Sequence, residues 1–530
     1  DTPPPDLVAA SGADAPLRLR HVAALLAAGL TMLSFVVVLS RHATVYGRAA
    51  PMRPPAVLAN QARQLAQQLS WQSAQADSGY WFELRKTDGQ IDFHWRSSPK
   101  PMLSLSRDGR LRSNIPPLDT PGMTHVVLSP SGQLLALASL PPERIPSSPP
   151  VAWDAVLRAA GLETSDLKPW NSDRSPAVAH DETRAWRTLR GTVVRASRFR
   201  GRFTSFEIDS AHPGRQRGFS SSRLPHAVYL WLLIGTLLVG AWLARRNLRA
   251  GRVDRRGAAR VALWVFVYRL LYGVLVAHHP LTLEEEASLL AALLGAALLL
   301  AAEVWLGYVA LEPLVRRLDP RAMIAWTRVN QGRIRDSLVG RDILIGVIAG
   351  LSLRLLDHLR DVLPTVIPSL EAAPSVLAVE TLGSVRMAFA LLFHSQARSI
   401  FYGLFALFLL VFLQHLFQRK LAASLIWLTI TTLAWSRWDD ARVDLPLVAL
   451  QMLILLIALR RAGLLASAVA LFTHLVTLYV PLTHRWDDFY FGQSLVAVTV
   501  LLIVALYGTW AALGGQWPLR RAHTAQEPSL

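Results

Sequence analysis

The stretch Leu311–Asp342 reads LEPLVRRLDPRAMIAWTRVNQGRIRDSLVGRD and sets seven arginines and two prolines between long apolar runs. Arginine concentrates in the short loops that stay on the cytoplasmic side of a membrane, so this segment sets the direction of the helices beside it. It predicts a basic cytoplasmic connection over 311–342, facing lipid headgroups, with one amphipathic helix from Asp319 to Val329. Arg316, Arg317, Arg321, Arg328, Arg333, Arg335 and Arg341 are the candidate residues of a cytoplasmic docking surface.

The composition agrees with a membrane setting. The chain has 530 residues, of which 52% are hydrophobic and 17% charged, too apolar and too uneven for an ordinary soluble enzyme. The formal charge is +18, but much of the arginine flanks apolar runs. Anionic headgroups and topology account for that pattern without nucleic acid as a partner. Cysteine is absent, which excludes disulfides and thiolate catalysis.

Working outward, the run HVAALLAAGLTMLSFVVVLS over 21–40 is about one bilayer long and reads as an uncleaved anchor after a cytoplasmic linker at 1–20. Residues 41–226 form the one large polar block. A helix is expected over Pro55–Leu69, then hairpins through YWFELRK, QIDFHWRSS, MLSLSRDGRL and HVVLSPSGQLLALASL, because period-two alternation around Asp-Gly or Ser-Gly turns is the hairpin signal. A short helix near Trp153–Ala160 and strands in RGTVVRAS and RFTSFEID complete an α+β domain, whose possible internal duplication stays open.

After Pro225, apolar runs recur near 227–244, 257–277, 287–310, 341–353, 382–418, 420–435, 442–459, 463–480 and 492–513. In lipid such runs must be helices. The expected architecture is therefore a polytopic all-α membrane protein of about ten transmembrane helices. The α+β domain is inserted between the first and second. The arginine-rich loop 245–256, the basic connection, the Arg419-Lys420 and Arg460-Arg461 pairs and the tail 514–530 fall on the cytoplasmic side. This parity puts 41–226 outside the cytoplasm. The units are three helices over 227–310, the connection 311–342 and a helical membrane domain over 343–513.

The acidic-proline start, the arginine pair, AMIAWTR and RDSLVGRD resemble the membrane-bound, non-catalytic portion that follows the catalytic domain in certain multidomain bacterial serine/threonine protein kinases. The resemblance continues through PGMTHVVLSPSGQLLALASLPPE at 121–143, WDAVLRAAGLETSDLKPW at 153–170 and ALYGTWAALGGQWPL at 505–519. Ser337 stands where the pattern has proline. The resemblance implies a receptor-like signalling module in the bacterial inner membrane, with an extracytoplasmic sensor domain of unidentified ligand and a cytoplasmic kinase before Asp1 or as a partner. ATP and Mg would belong to that kinase alone. The chain itself carries no Gly-x-Gly-x-x-Gly loop and no His-Arg-Asp, Asp-Phe-Gly or Ala-Pro-Glu segment, so no catalytic, cofactor-binding or metal residue is assigned.

The alternative is a transporter or intramembrane enzyme with an accessory domain. Charges within spans bear on it, because they are expensive unless paired. Arg269 and Glu303 lie inside neighbouring spans and are expected to form an interhelical ion pair. His278-His279 with Glu284–Glu286 reads as an exposed loop capping a helix rather than a metal site. Glu285-Glu286 also resembles the glutamate pair of abortive-infection-type intramembrane proteases, but that motif's later arginine is missing. Tryptophans near helix ends read as interfacial anchors.

Overall fold

The computed structural model describes residues 16–516 except 49–51, 72–74, 86–88, 105, 147–148, 172–175, 177, 190, 210–222, 252, 281, 368–377 and 437–439. Most of the opening linker, Arg252, Trp438 and the tail arginines Arg520 and Arg521 thus lie outside the described residues. The chain is mostly helical (64%), with an eight-stranded antiparallel sheet domain and six helices long and apolar enough to cross a membrane.

The first of these, α1 (Leu19–Ala43), leads through the one-turn α2 (Val45–Arg48) into the sheet domain. There α3 (Pro55–Leu69) precedes β1 (Asp77–Leu84), β2 (Ile91–Ser98), β3 (Thr124–Leu128) and β4 (Leu134–Ser139). A second helix, α4 (Trp153–Ala159), precedes β5 (Leu167–Pro169), β6 (Glu182–Thr188), β7 (Val193–Phe199) and β8 (Arg202–Asp209). The strand order β1-β2-β3-β4-β8-β7-β6-β5 joins two four-stranded meanders through their last strands, with Leu137 opposite Phe206. Each half is a helix followed by a meander, the architecture of an internal duplication.

Alternation builds the core on one face of the sheet. Phe82, Phe93, Trp95, Val126, Leu137 and Phe206 are buried against α3, which presents Leu58, Ala62, Ala66 and Leu69 at helical spacing. The MLSLSRDGRL stretch is not the expected hairpin. The Asp108 carboxylate accepts from Ser106 and lies within 2.7 Å of Arg110 and 3.2 Å of Arg112, closing a side-chain-bonded loop. Gly109, at φ +68°, then offers its carbonyl to the His278 N–H. Strands β5 and β6 were not expected either; β6 (ETRAWRT) is mostly exposed and charged, so alternation barely marks it.

The remaining helices are α5 (Arg223–Arg249), α6 (Arg255–Val276), α7 (Leu283–Leu318), α8 (Ile324–Asn330), α9 (Ser337–Val366), α10 (Val385–Phe417), α11 (Lys420–Trp435), α12 (Ala441–Tyr479) and α13 (Phe491–Ala512). Of the readings open for the short run 341–353 (tilted, re-entrant or extended past Arg354), the structure shows extension, into the 30-residue α9, and the run 382–418 is essentially the single helix α10. α12 is a hairpin. Gln451 and His474 both bond the Asp357 carboxylate, at 2.8 and 2.7 Å, whereas a continuous helix would hold them about 34 Å apart. The chain reverses at Gly463, whose φ of +75° is left-handed and where a Cβ would stand 2.4 Å from the Ala322 carbonyl oxygen.

α9 is the axis of the bundle, packing on α1, α12 and α13. Gly346 and Gly350 make a small-xxx-small face that lets α12 approach closely: Cβ atoms there would meet the Ala466 and Ala470 carbonyl oxygens at 2.6 and 2.4 Å. Its first turn is capped by Asp336, which accepts from the Leu338 and Val339 N–H groups. Ser337 occupies the first helical position, one that tolerates proline.

The arginine-dense stretch is a folded cap, in which the expected helix over 319–329 is a 3-10 turn followed by α8. α7 runs on to Leu318, a 3-10 turn covers Pro320–Met323, and α8 buries Ala325 and Trp326. The seven-arginine docking surface is corrected accordingly. Arg316 is buried against Glu312 at 2.6 Å and Arg328 against Asp336 at 2.6 Å, while Arg341 pairs with its neighbour Asp342 at 2.8 Å. Arg317, Arg321, Arg333 and Arg335 are exposed.

Candidate functional site

The sheet domain meets the bundle through a ring of charged contacts. The Asp77 carboxylate of β1 accepts from the Met102 N–H at 2.8 Å and lies 2.9 Å from His278 Nε2, just past α6. Burial opposes its ionisation, but His278 and the backbone donors hold it below the usual carboxylate range. Arg110 bridges Asp108 at 2.7 Å and Glu380, in the 3-10 turn Val379–Gly383, at 2.8 Å. Burial works against the Arg110 charge, yet Glu380 and then Tyr272 and Asp108 outweigh it and raise its pKa. On α2, Arg48 donates to the Asp361 carbonyl of α9 at 2.6 Å.

Between these contacts lies a cleft of about 480 Å³, within the roughly 300–1,000 Å³ range of small-molecule sites. One wall is β1, an edge strand that pairs only with β2 among the described residues. Glu83, Arg112, Glu380 and Arg386 bring charges of both signs to the lining, and Tyr80 and Trp81 bring rings. Such a cleft suits a polar ligand held by hydrogen bonds and charge. Behind it, Trp81 stacks on His94 and His125, with centroids 5.3 and 5.6 Å away, and the two imidazoles share a 3.1 Å hydrogen bond. Burial lowers His94 to about 4 and, with His94 and Arg96 beside it, lowers His125 well below its ordinary value. Both rings are therefore neutral at pH 7, one donating to the other's lone pair.

Beneath the cleft, α9 carries RLLDHLRD, with Arg354, Asp357, His358, Arg360 and Asp361 all buried. Asp357 takes His474 and Gln451 from the two arms of α12, and Arg354 lies 3.7 Å away. Arg360 reaches Asp444 at 2.7 Å, and His358 meets Ser40 of α1 at 3.3 Å. Ionic groups this deep among apolar helices must be paired, and here they lock α1, α9 and α12 together.

The expected Arg269–Glu303 pair is not formed. Arg269 lies close to the sheet-proximal end of α6, while Glu303 sits past the middle of α7. Arg269 instead donates to the Arg107 carbonyl at 2.7 Å and lies over the Tyr272 ring. His278 and His279 diverge, to Asp77 and to Glu286 at 2.8 Å, and Glu285 accepts from Thr282. Among the described residues no group of three or more His, Asp or Glu side chains could hold a metal ion. The α9 network escaped the sequence reading because hydropathy stopped that run at residue 353. The signal was the spacing 354, 357/358, 361, which puts the charges on one helical face. No protein-family model, curated protein or solved structure matches the chain.

Proposed function

We propose that this chain is the sensory, signal-transducing membrane module of a receptor-like bacterial serine/threonine protein kinase. Its sheet domain lies outside the cytoplasm, the helices make about ten crossings of the inner membrane, and the kinase is fused before Asp1 or docks on the arginine-dense cap. The observation that carries this reading is the placement of α9. One end bonds the segment leading to the sheet domain, through Arg48 and Asp361, and the other is bonded to the cap through Asp336 and Arg328. A displacement of the sheet domain on filling the cleft is thereby passed along one rigid helix. The hairpin in α12, together with α5, α9 and α11, which accompany the other five candidate spans, supports the count of ten.

The test is phosphoryl incorporation in membranes holding the native protein, with its coding region upstream of Asp1 included. R48Q and R110Q, both remote from the cap, should change incorporation several-fold at unchanged membrane level. Equal incorporation, or an upstream region without a kinase, overturns the reading. The buried Arg354–Asp357–His474 network favours a second reading, ion transport. Ion flux into proteoliposomes that stops in D357N would support transport over signalling.

A further inference from the structure

A cavity of about 490 Å³ opens among α6, α8, α10, α12 and α13, with mostly apolar walls. Trp264 of α6 lines it and is also half exposed on the outer surface of a candidate span, so the cavity opens sideways to lipid. Two uncharged polar residues well inside their helices line it too, Gln396 of α10 and Tyr268 of α6. Neither the Gln396 amide nor the Tyr268 hydroxyl has a hydrogen-bond partner among the described residues, and both residues are only half-buried. The other three glutamines of α10, α12 and α13 are all bonded: Gln414 accepts from Arg460, Gln451 donates to Asp357 and Gln493 donates to the Thr381 carbonyl. An unmet amide at bilayer depth is costly, because no water is there to replace the missing partner. Gln396 is the exception that a ligand would answer. Rings stand beside it: Tyr268 stacks on Trp264 and on Phe393, one turn from Gln396, with centroids 6.1 and 6.3 Å apart. No carboxylate lines the cavity among the described residues, and its one charged lining residue, Arg260, is about 12 Å from Tyr268 along α6 and already donates to the Asn330 carbonyl.

We propose that this cavity binds an isoprenoid quinone drawn from the bilayer. Its carbonyl oxygens accept from Gln396 Nε2–H and Tyr268 Oη–H, its ring packs beside Trp264 and Tyr268, and its tail lies along Ile400, Ala468 and Val504. Three features choose the class. Neutral donors without a cation beside them suit carbonyl oxygens rather than a phosphate or carboxylate. Stacked aromatic side chains suit a planar ring. A mouth that opens to lipid admits a ligand dissolved in the membrane, and the volume lies within the roughly 300–1,000 Å³ of small-molecule sites. The site is separate from the cleft beneath the sheet domain, and the proposal holds whichever way the chain is oriented and whether or not a kinase is attached.

The full chain in phosphatidylcholine nanodiscs tests it, with a ubiquinone of two isoprene units as the probe. Squalene, an isoprenoid hydrocarbon without oxygen, and dioleoylglycerol, which offers ester carbonyls without a ring, are the comparisons. The quinone should raise the melting temperature saturably, as a ligand of the folded state does, and the other two should not. Q396L should weaken quinone binding about ten-fold, the loss of one hydrogen bond. Y268F keeps the ring, removes the hydroxyl and should weaken it to a similar degree. A468F should fill the cavity and abolish binding, whereas R260Q should leave the quinone affinity unchanged. Stabilisation by squalene or dioleoylglycerol to the extent that the quinone gives overturns the proposal in the wild-type chain alone, with no variant needed. Wild-type quinone affinity in Q396L overturns it as well.

Discussion

At the scale of single residues, the chain concentrates its electrostatic risk in two places. The first is Asp357, which answers His474, Gln451 and Arg354 at once, all in a region without water to replace them. Removing one partner of a buried ionic group leaves the others uncompensated and costs about 3–5 kcal/mol. Asp357→Ala should therefore lower the detergent melting temperature sharply, while Arg442→Ala, whose guanidinium is largely exposed, should leave it nearly unchanged; equal melting of the two would remove the network from the account. The second is the His94–His125 pair. Unfolded His94 takes its proton near 6.5 and folded His94 only at about 4, so between those values the unfolded state holds more protons. Stability conferred by neutral His94 is complete above pH 6.5, falls as pH is lowered through that window and levels off below it. Melting of the full chain at pH 7 and pH 4.5 measures this, and His94→Asn should shrink the difference; a wild-type curve that is flat across the window contradicts it.

At the scale of elements, close approach of helix backbones holds the bundle. A valine at position 350 would drive its Cβ into the Ala470 carbonyl, whereas Gly383 has open space around it. Gly350→Val should abolish folded yield and Gly383→Ala should retain it, as size-exclusion profiles of the two would register; a monodisperse Gly350→Val protein would show that α9 and α12 need not touch. This scale also marks how far the sequence could be read. Amphipathic spacing marked α3 at 55–69, alternation marked β1–β4, β7 and β8, and Arg460-Arg461 separated the two arms of α12, because each of these signals is local. The charged strand β6 leaves little trace in the sequence because it is mostly exposed and so barely alternates, and the polar third of α9 because its burial is decided by partners far along the chain, Asp444, Gln451 and His474. The Arg269–Glu303 pairing failed for a related reason. Sequence places both residues in spans, but only the packing of α6 on α7 fixes their relative depth.

Across the whole molecule, the sheet domain, the helix ends and the arginine-dense cap form a continuous series of bonded contacts, Asp77–His278, Arg110–Glu380 and Arg48–Asp361 at one end and Arg328–Asp336 at the other. A module that reports the filling of a cleft to a partner beyond the bilayer requires these two ends to lie on opposite sides of it. Because the chain has no cysteine of its own, single cysteines can be read against a silent background. Asn114, exposed on the sheet domain, and Arg333, exposed on the cap, are the positions to use. With a membrane-impermeant maleimide on intact cells, Asn114→Cys should label at once and Arg333→Cys only after permeabilisation. Labelling of both in intact cells, or of Arg333→Cys alone, would contradict the account.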